Sequence, residues 1–118
     1  SADFNGDGKI DHAFLLHDVK ENKSVLAVKL SINDQYKWKI FDEFKYEWTG
    51  TSLGIDLAEP NTYETACGKG YWECKKDEPE KLNLDKPGFW YYPFEQGGAQ
   101  IFYWDDSKNE FRNVIMND

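Results

Sequence analysis

Alternation of apolar and polar side chains, without a sustained helical period, is the feature that most limits the folds open to this chain. Over residues 25–32, aliphatic side chains at even-numbered positions alternate with polar Lys29 and Ser31. Such a period of two predicts a half-buried antiparallel strand. The best helical window, residues 77–84, contains Pro79 and predicts one helical turn at most.

Comparable strand signals recur along the whole chain, separated by turn-forming residues. Strands are predicted at residues 13–16, 25–32, 36–40, 44–48, 53–57, 99–104 and 111–116, with turns at 33–35 and 105–109 and a break at Asp42-Glu43. The first half therefore reads as a meander. The expected fold is mostly β: a single small antiparallel β sandwich or barrel-like meander with a loop at its N-terminus.

The length of 118 residues predicts one domain with one modest core, spanning residues 1–118. Within it, residues 1–14 are expected to form a loop leading into the first strand, and residues 67–74 a second, closed loop. A propeller of four or more blades would need a much longer chain and is excluded.

The segment DFNGDGKID, residues 3–11, carries oxygen-bearing side chains at the spacing of a cation-binding loop. Asp3, Asn5 and Asp7 are predicted to point inward, and Gly8 to take the left-handed turn that follows the third ligand. The backbone carbonyl of Lys9 and the carboxylate of Asp11 complete the predicted set. These hard oxygen ligands suit Ca²⁺ better than Mg²⁺, so the N-terminal loop of the expected β fold, residues 1–14, is predicted to be a calcium loop. The alternative is an Asp/Asn/Gly-rich turn that binds nothing.

This loop departs from the EF-hand, because Phe14 occupies the position where the EF-hand has a bidentate Glu. The pattern D-x-N-x-D-G-x-x-D running into an apolar stretch resembles the FG-GAP type of calcium loop, found in integrin-like propellers and in many exported bacterial proteins. The resemblance covers about the first thirty residues. It implies a loop between strands in which the metal fixes a β-turn.

The charge balance argues against nucleic acid as a partner. There are 22 acidic and 14 basic residues, net charge -8, and Arg112 is the only arginine, whereas nucleic-acid binding relies on basic patches. An acidic surface suits a cationic protein partner, although solubility alone would also explain it. No run is long enough for a transmembrane helix, so no membrane span is expected, and the chain is expected to be a mature form whose leader was removed.

Cys67 and Cys74 are the only cysteines, and their even number and short spacing predict one disulfide. A disulfide together with a calcium loop suited to millimolar calcium favours a periplasmic or secreted location. The motif ACGKGYW at residues 66–72, with Cys74 and a late YWD at 103–105, resembles a group of short exported bacterial proteins of unassigned role.

The sequence favours a protein without enzymatic activity. Neither a Gly-x-Ser-x-Gly elbow nor a His-Glu-x-x-His pair accompanies the two histidines, His12 and His17. With 22 carboxylates, pairs at glycosidase spacing arise by chance and carry little weight. No catalytic residue is therefore predicted.

The most favoured role is binding of another protein, as an inhibitor or immunity-type protein against a cationic enzyme that acts in the cell envelope. A loop tied by cysteines at both ends is preorganised to enter a cleft, and acidic residues would steer a basic enzyme toward it. A purely structural hairpin is the alternative. The predicted partner-binding residues are Lys69, Tyr71, Trp72, Glu73 and Trp90.

A calcium-dependent carbohydrate-binding module is the alternative function. Aromatic residues make up 17% of the chain, and exposed rings can stack on sugars, although a small β domain also builds its core from aromatic residues. Most tryptophans, among them Trp38 and Trp48, are expected in the core. Trp72 and Trp90, which have Gly or Pro nearby in loops, are expected to be exposed.

Overall fold

The computed structural model describes residues 1–18, 23–45, 53–76, 78–93 and 99–116. Within these ranges the chain forms nine β-strands and no helix, as the alternation predicts. The strands are β1 His12–Asp18, β2 Lys23–Ile32, β3 Gln35–Lys45, β4 Leu53–Ala58, β5 Thr62–Glu64, β6 Lys81–Asn83, β7 Gly88–Pro93, β8 Gln100–Asp105 and β9 Glu110–Ile115. In the part of the chain that the structure describes, no helix is long and apolar enough to cross a membrane.

The strands form three antiparallel sheets. The first, in the order β1-β2-β3, is the predicted meander. The second has the order β4-β7-β8-β9, and the third is the β5-β6 hairpin. Because β4 pairs with β7, the segment between them, which contains the hairpin and the 67–74 loop, leaves the large sheet and returns to it.

The turn between β2 and β3 contains two residues, Asn33 and Asp34, and both have positive φ, at 50° and 64°. These values are typical of the tight turns that join antiparallel strands. Gln35 already pairs with Ile32, so the predicted three-residue turn is wrong by one residue.

β3 is one strand from Gln35 to Lys45, so the predicted break at Asp42-Glu43 is wrong. The pairing instead shifts between Leu26 and Ala27 on β2, which absorbs one extra residue of β3 as a bulge. Residues 46–48 of the fourth predicted strand, 44–48, lie outside the described residues.

The main core lies between the first two sheets. β2 contributes Leu26, Val28 and Leu30, and each is fully buried, as its alternation predicts. The four-stranded sheet contributes mainly aromatic rings, and those of Phe89 and Phe102 stack with centroids 5.1 Å apart. Large rings let these short strands bury enough apolar area for a small domain.

A second, smaller core covers the opposite face of the four-stranded sheet. Ile101 and Val114 alternate with side chains that face the main core, and Leu82 of β6 packs over this second face. Residues 81–83, within the weak helical window, are therefore a strand. The four-stranded sheet is the middle layer of the molecule, with β1-β2-β3 on one side and β5-β6 on the other.

Candidate functional site

The N-terminal loop is closed by a short antiparallel bridge between its two ends. Ala2 N donates to Asp11 O at 3.1 Å, and Asp11 N donates to Ala2 O at 2.8 Å. Inside the loop, Phe4 is 1% exposed and packs against Phe89 at 5.5 Å and Phe111 at 6.1 Å between ring centroids. The residue between two predicted ligands therefore anchors the loop in the main core.

The Asp3 carboxylate holds the loop in its curled form. Its Oδ1 accepts hydrogen bonds from Gly6 N at 2.8 Å and Asp7 N at 3.1 Å, and its Oδ2 accepts one from Gly8 N at 2.8 Å. Gly8 has a φ of 87°, which confirms the predicted left-handed turn. One side chain thus gathers three backbone N–H groups toward a single point.

Asn5 and Asp7 continue this inward pattern. The Asn5 amide donates to Ser31 O at 2.8 Å, and its Oδ1 accepts a bond from Asp7 N at 3.3 Å. Asp7 Oδ1 accepts a bond from Lys9 N at 2.9 Å. The ammonium group of Lys9 forms an ion pair with Asp34, so the β2-β3 turn also holds this loop.

Asp11 is fully buried and tied to the backbone. Its Oδ2 accepts a hydrogen bond from Phe4 N at 2.9 Å, and its Oδ1 accepts one from Ser31 N at 2.8 Å. Burial raises the pKa of this carboxyl, and the two N–H bonds oppose that rise. Asp11 therefore links the loop to β2 whether or not it also contacts a cation.

The loop has suitable donor chemistry, but its carboxylates are not gathered into a ready-made cage. In the described part of the chain, no three His, Cys, Asp or Glu side chains are placed to hold a metal ion. A carboxylate offers about four acceptor positions. Asp3 uses three of them and Asp7 uses one, and the Asn5 carbonyl also keeps one acceptor position. Acceptor capacity for a hard cation remains at all three residues.

Lys86 connects the N-terminal loop to the turn between β8 and β9. Its ammonium group pairs with Asp106 and lies 3.5 Å from Asp85 Oδ1. Its aliphatic stem lies against Gly6, where an added Cβ would come within 2.7 Å of Lys86 Cε. The hydrogen bond to Asp106 raises the pKa of Lys86, so the lysine keeps its charge at this contact.

The predicted disulfide is confirmed: Cys67 and Cys74 are bonded, with their Cα atoms 5.0 Å apart. The loop that they close rests on backbone carbonyl groups. Thr65, fully buried, donates its hydroxyl to Pro79 O at 2.6 Å, and Ala66 N donates to Ile115 O at 2.9 Å. The residues that precede the loop therefore attach it to Pro79 and to the end of β9, and no residue of the loop belongs to the main core.

The predicted partner-binding residues differ in how freely they present their side chains. Tyr71 is 53% exposed and Glu73 is exposed, whereas the Lys69 ammonium group donates to Met116 O at 2.9 Å. Trp72 is half-buried, with its indole N–H 3.1 Å from a carboxylate oxygen of Glu78. The expectation of an exposed Trp72 is therefore wrong.

Trp90 belongs to β7 and not to the disulfide loop. It is half-buried, its ring stacks on Tyr92 with 5.7 Å between centroids, and Tyr63 meets it edge-on at 5.8 Å. The expectation that Trp90 is exposed is also wrong. The structure does not group it with the other four predicted residues on one element.

The outer face of the three-stranded sheet carries exposed rings that the sequence analysis missed. Tyr36 and Trp38 are 53% and 52% exposed, and Ile40 is 62% exposed. Trp38, expected in the core, lies in contact with Phe14, with their ring centroids 5.7 Å apart. Trp48 lies outside the described residues. We call the surface formed by the following residues the aromatic face: His12, Phe14, Lys29, Tyr36, Trp38 and Ile40.

Comparison of the chain with protein-family models, with curated proteins and with solved structures finds no match. Function is therefore inferred from the residues of the two loops and of the aromatic face.

Proposed function

We propose that this is a non-enzymatic, extracytoplasmic calcium-binding protein that binds another protein. The observation that carries the calcium assignment is the Asp3 carboxylate, which draws three successive N–H groups around itself and leaves the oxygens of Asn5 and Asp7 in the same short loop. A turn that binds nothing does not require this many oxygen-bearing side chains at alternate positions.

The proposed ligands are the side chains of Asp3, Asn5, Asp7 and Asp11 and the backbone carbonyl of Lys9. Bound Ca²⁺ would supply positive charge to a loop that concentrates three carboxylates, and would hold the loop closed. Asp11 contributes in addition by orienting the loop, since both of its oxygens already accept backbone N–H groups.

Calorimetric titration of the purified protein with CaCl₂ tests this proposal, with Asp7→Asn as the diagnostic variant. Asp7 is exposed and accepts one bond from Lys9 N through Oδ1. Asn keeps an acceptor there and removes only the charge. We expect saturable binding at or below about 1 mM, as in extracellular calcium modules, and at least about a tenfold loss of affinity in the variant.

Asp56→Asn provides the matched control, because it makes the same chemical change on exposed β4. We expect its calcium affinity to equal that of the parent protein. An absence of heat at millimolar calcium in the folded parent protein would contradict the assignment. Equal losses in the two variants would instead indicate a diffuse effect of net charge.

The disulfide loop is the proposed partner-binding element. It presents the exposed side chains of Tyr71 and Glu73 from a backbone that is held by the disulfide and by the hydrogen bond from the Trp72 indole N–H to Glu78. A preformed loop of this kind loses little conformational entropy on binding. The net charge of -8 would accelerate encounter with a cationic enzyme. The disulfide also supports a periplasmic or secreted location.

A pull-down from an envelope fraction with parent protein, Tyr71→Ala and Leu57→Ala tests the protein-binding role. Leu57 is 43% exposed on β4 and serves as the control for loss of an exposed apolar group. We expect a basic protein to be retained by the parent and by Leu57→Ala, to be released by salt, and to be lost with Tyr71→Ala. Retention by Tyr71→Ala at the same level would contradict the assignment to this loop.

Carbohydrate binding is the second candidate function, and the aromatic face is the observation that favours it. Tyr36 and Trp38 stand about half exposed on one face of a sheet with Phe14 beside them. Exposed rings on a flat sheet surface match what a sugar requires, since the C–H faces of a sugar ring pack on aromatic rings.

A further inference from the structure

β3 is the outer strand of the three-stranded sheet, and among the described residues no strand pairs with its far side. Residues 35–40 are all exposed, so this part of β3 meets solvent on both faces as well as along its edge. An open strand edge carries backbone N–H and C=O groups that can pair with another strand. This edge can therefore accept an extended peptide.

The hydrogen bonds of Ser31 show which residues of β3 direct their backbone groups toward the open edge. Ser31 N and Ser31 O both bond to side chains of the N-terminal loop, at 2.8 Å each, and so point away from β3. Its cross-strand neighbour Tyr36 therefore belongs to a pair without backbone hydrogen bonds. Such pairs alternate along an antiparallel ladder, so the N–H and C=O groups of Tyr36, Trp38 and Ile40 face the open edge.

The two faces of this segment carry different side chains. Tyr36, Trp38 and Ile40 lie on the aromatic face and are 53%, 52% and 62% exposed. Lys37 and Lys39 pair with core-facing residues of β2 and therefore lie on the opposite face. Both lysines are exposed, and neither forms an ion pair within the described part of the chain. Residues 36–40 thus alternate strictly between apolar and basic side chains.

This alternation selects the partner strand. A strand that pairs with β3 places its side chains on the same two faces, beside those of residues 36–40. Acidic side chains would lie beside the two lysines, and apolar side chains would lie beside the exposed rings. Opposite charges across strands are favourable and like charges are unfavourable. Lysines commonly protect a strand edge from pairing, and here they disfavour basic strands while favouring acidic ones.

A second copy of the chain suits this edge poorly. In an antiparallel pairing of two β3 edges, Lys37 and Lys39 of both copies would share one face and repel each other. The net charge of -8 adds repulsion between whole copies. A single acidic segment is affected less, because charges more than about 8 Å apart are largely screened at physiological ionic strength.

We infer that the edge of β3 at residues 36–40 binds an extended segment of a partner protein in which acidic and apolar side chains alternate. The segment joins the sheet as a fourth strand. Backbone groups of Tyr36, Trp38 and Ile40 form the hydrogen bonds, and Lys37 and Lys39 contact the acidic side chains. This role is separate from the proposed calcium site and from the disulfide loop, since neither contributes a residue to this edge.

Fluorescence anisotropy with a labelled, capped heptapeptide tests this inference. Its three valines alternate with two glutamates between terminal serines, so valines match the exposed rings and glutamates match the lysines. One matched peptide has lysine in place of glutamate, and another has methylated valine nitrogens, which removes the donors to β3 and keeps every side chain. In chelator, we expect saturable binding of the glutamate peptide at or below about 1 mM and at least about tenfold weaker binding of the other two.

Amide hydrogen exchange measured by NMR locates the bound peptide. The N–H groups of Tyr36, Trp38 and Ile40 should exchange about tenfold more slowly when nine-tenths of the protein is bound. Those of Lys37 and Lys39 already point toward β2 and should change less. Unchanged exchange at the first three amides in the presence of bound peptide would overturn the inference.

Charge reversal at the two lysines provides a second test. The double variant Lys37→Glu/Lys39→Glu changes exposed side chains and no backbone group, so the fold should persist. It should bind the lysine peptide at least about fivefold more tightly than the glutamate peptide, the reverse of the parent protein. The control Lys81→Glu/Lys108→Glu lowers the net charge equally at exposed positions outside the three-stranded sheet and should keep the parental preference.

Several other results would contradict the inference. Equal binding of the glutamate and lysine peptides would remove the role of the lysines, and full binding of the methylated peptide would show contact through side chains alone. A reversed preference in the control variant would reveal an effect of net charge. Exchange at the Trp38 amide that slows with protein concentration, without peptide, would identify a second copy as the occupant. A tryptophan fluorescence response to cellohexaose, with no peptide bound, would assign the exposed rings to the carbohydrate candidate.

Discussion

The two loops of this protein are held in opposite ways. The N-terminal loop is open covalently, but Phe4 places it in the aromatic core between two sheets, and Asp11 ties it to β2. The 67–74 loop is closed by a disulfide, yet it rests on backbone carbonyl groups near the end of β9 and at residues 79–80. The loop closed by a covalent bond thus contributes no residue to the main core, whereas the loop held only by non-covalent contacts is anchored in it.

This difference indicates which part of the fold would be stabilised by a ligand bound at each loop. Phe4 contacts Phe89 and Phe111, which belong to the sheet opposite β1 and β2. Tightening the N-terminal loop would therefore stabilise the contact between sheets, beyond the first hairpin alone. Tightening the disulfide loop would mainly order residues 65–80.

Phe4→Ala should have the largest effect, because it removes a ring that is 1% exposed from the main core. We expect a loss of about 3–5 kcal/mol in the free energy of unfolding, as for other buried Phe→Ala substitutions. Urea denaturation measures it. Ile10→Ala, in the same loop but 50% exposed, should cost less than about 0.5 kcal/mol. Similar costs for the two variants would show that the loop is not anchored through Phe4.

Calcium should raise the free energy of unfolding by about 2.7 kcal/mol when its free concentration is one hundred times the dissociation constant. Thermal melting with and without chelator measures this rise. The double variant Cys67→Ala/Cys74→Ala should show the same rise, since the disulfide lies outside the N-terminal loop. A rise that disappears in the variant would show that the two loops are coupled.

The central strand of the three-stranded sheet follows closely from the sequence, because its alternation reports directly which side chains are buried. Leu26, Val28 and Leu30 illustrate this. The pairing of β4 with β7 does not follow, since it joins segments about thirty residues apart and depends on contacts made only in the folded chain. β5 and β6, with three residues each, are too short to show a period.

The core position predicted for Trp38 rested on the general tendency of a small β domain to bury its aromatic rings, and the pairing of β3 overrides that tendency. A three-residue turn at 33–35 would pair Ile32 with Tyr36 and place Trp38 opposite Leu30 in the core. The actual two-residue turn pairs Trp38 with Lys29, on the outward face. A shift of one residue moves every side chain of a strand to the other face. Asn33-Asp34, both suited to positive φ, was the available signal for the shorter turn.

The residues of the proposed calcium loop were predicted from their spacing and from a resemblance, and the structure shows what these leave out. Asp3 and Asn5 lie in the loop while Phe4, between them, is buried in the main core. The burial of Asp11 and its bond to Ser31 N depend on β2 lying alongside, and the loop sequence carries no information on that contact.

Reduction of the disulfide should have a moderate and local effect. The loop is short, so the chain-entropy account gives about 2 kcal/mol of lost stability. We expect urea denaturation in reducing agent to show one transition at a lower midpoint, with calcium affinity unchanged by calorimetry. Complete unfolding on reduction would mean that the 67–74 loop supports the main core, contrary to its peripheral contacts.

A matched pair of glycines gives the finest comparison of the two loops. Gly8 and Gly70 have φ values of 87° and 91°, and an added Cβ at either would meet nothing within 4 Å. Alanine at each position would therefore carry the same backbone strain without a steric clash, about 1 kcal/mol in the free energy of unfolding. Urea denaturation of Gly8→Ala and Gly70→Ala should confirm these similar costs.

Calcium affinity should separate the two glycine variants. Gly8 follows Asp7 and donates its N–H to Asp3 Oδ2, so strain there disturbs the curl that gathers the proposed ligands. Gly70 lies in the disulfide loop and donates its N–H to Cys67 O at 3.1 Å. Calorimetric titration should show weaker calcium binding for Gly8→Ala and parental binding for Gly70→Ala. If both variants bind calcium as the parent does, the turn at Gly8 is not part of the metal site, and the loop would serve only as a plug for the core.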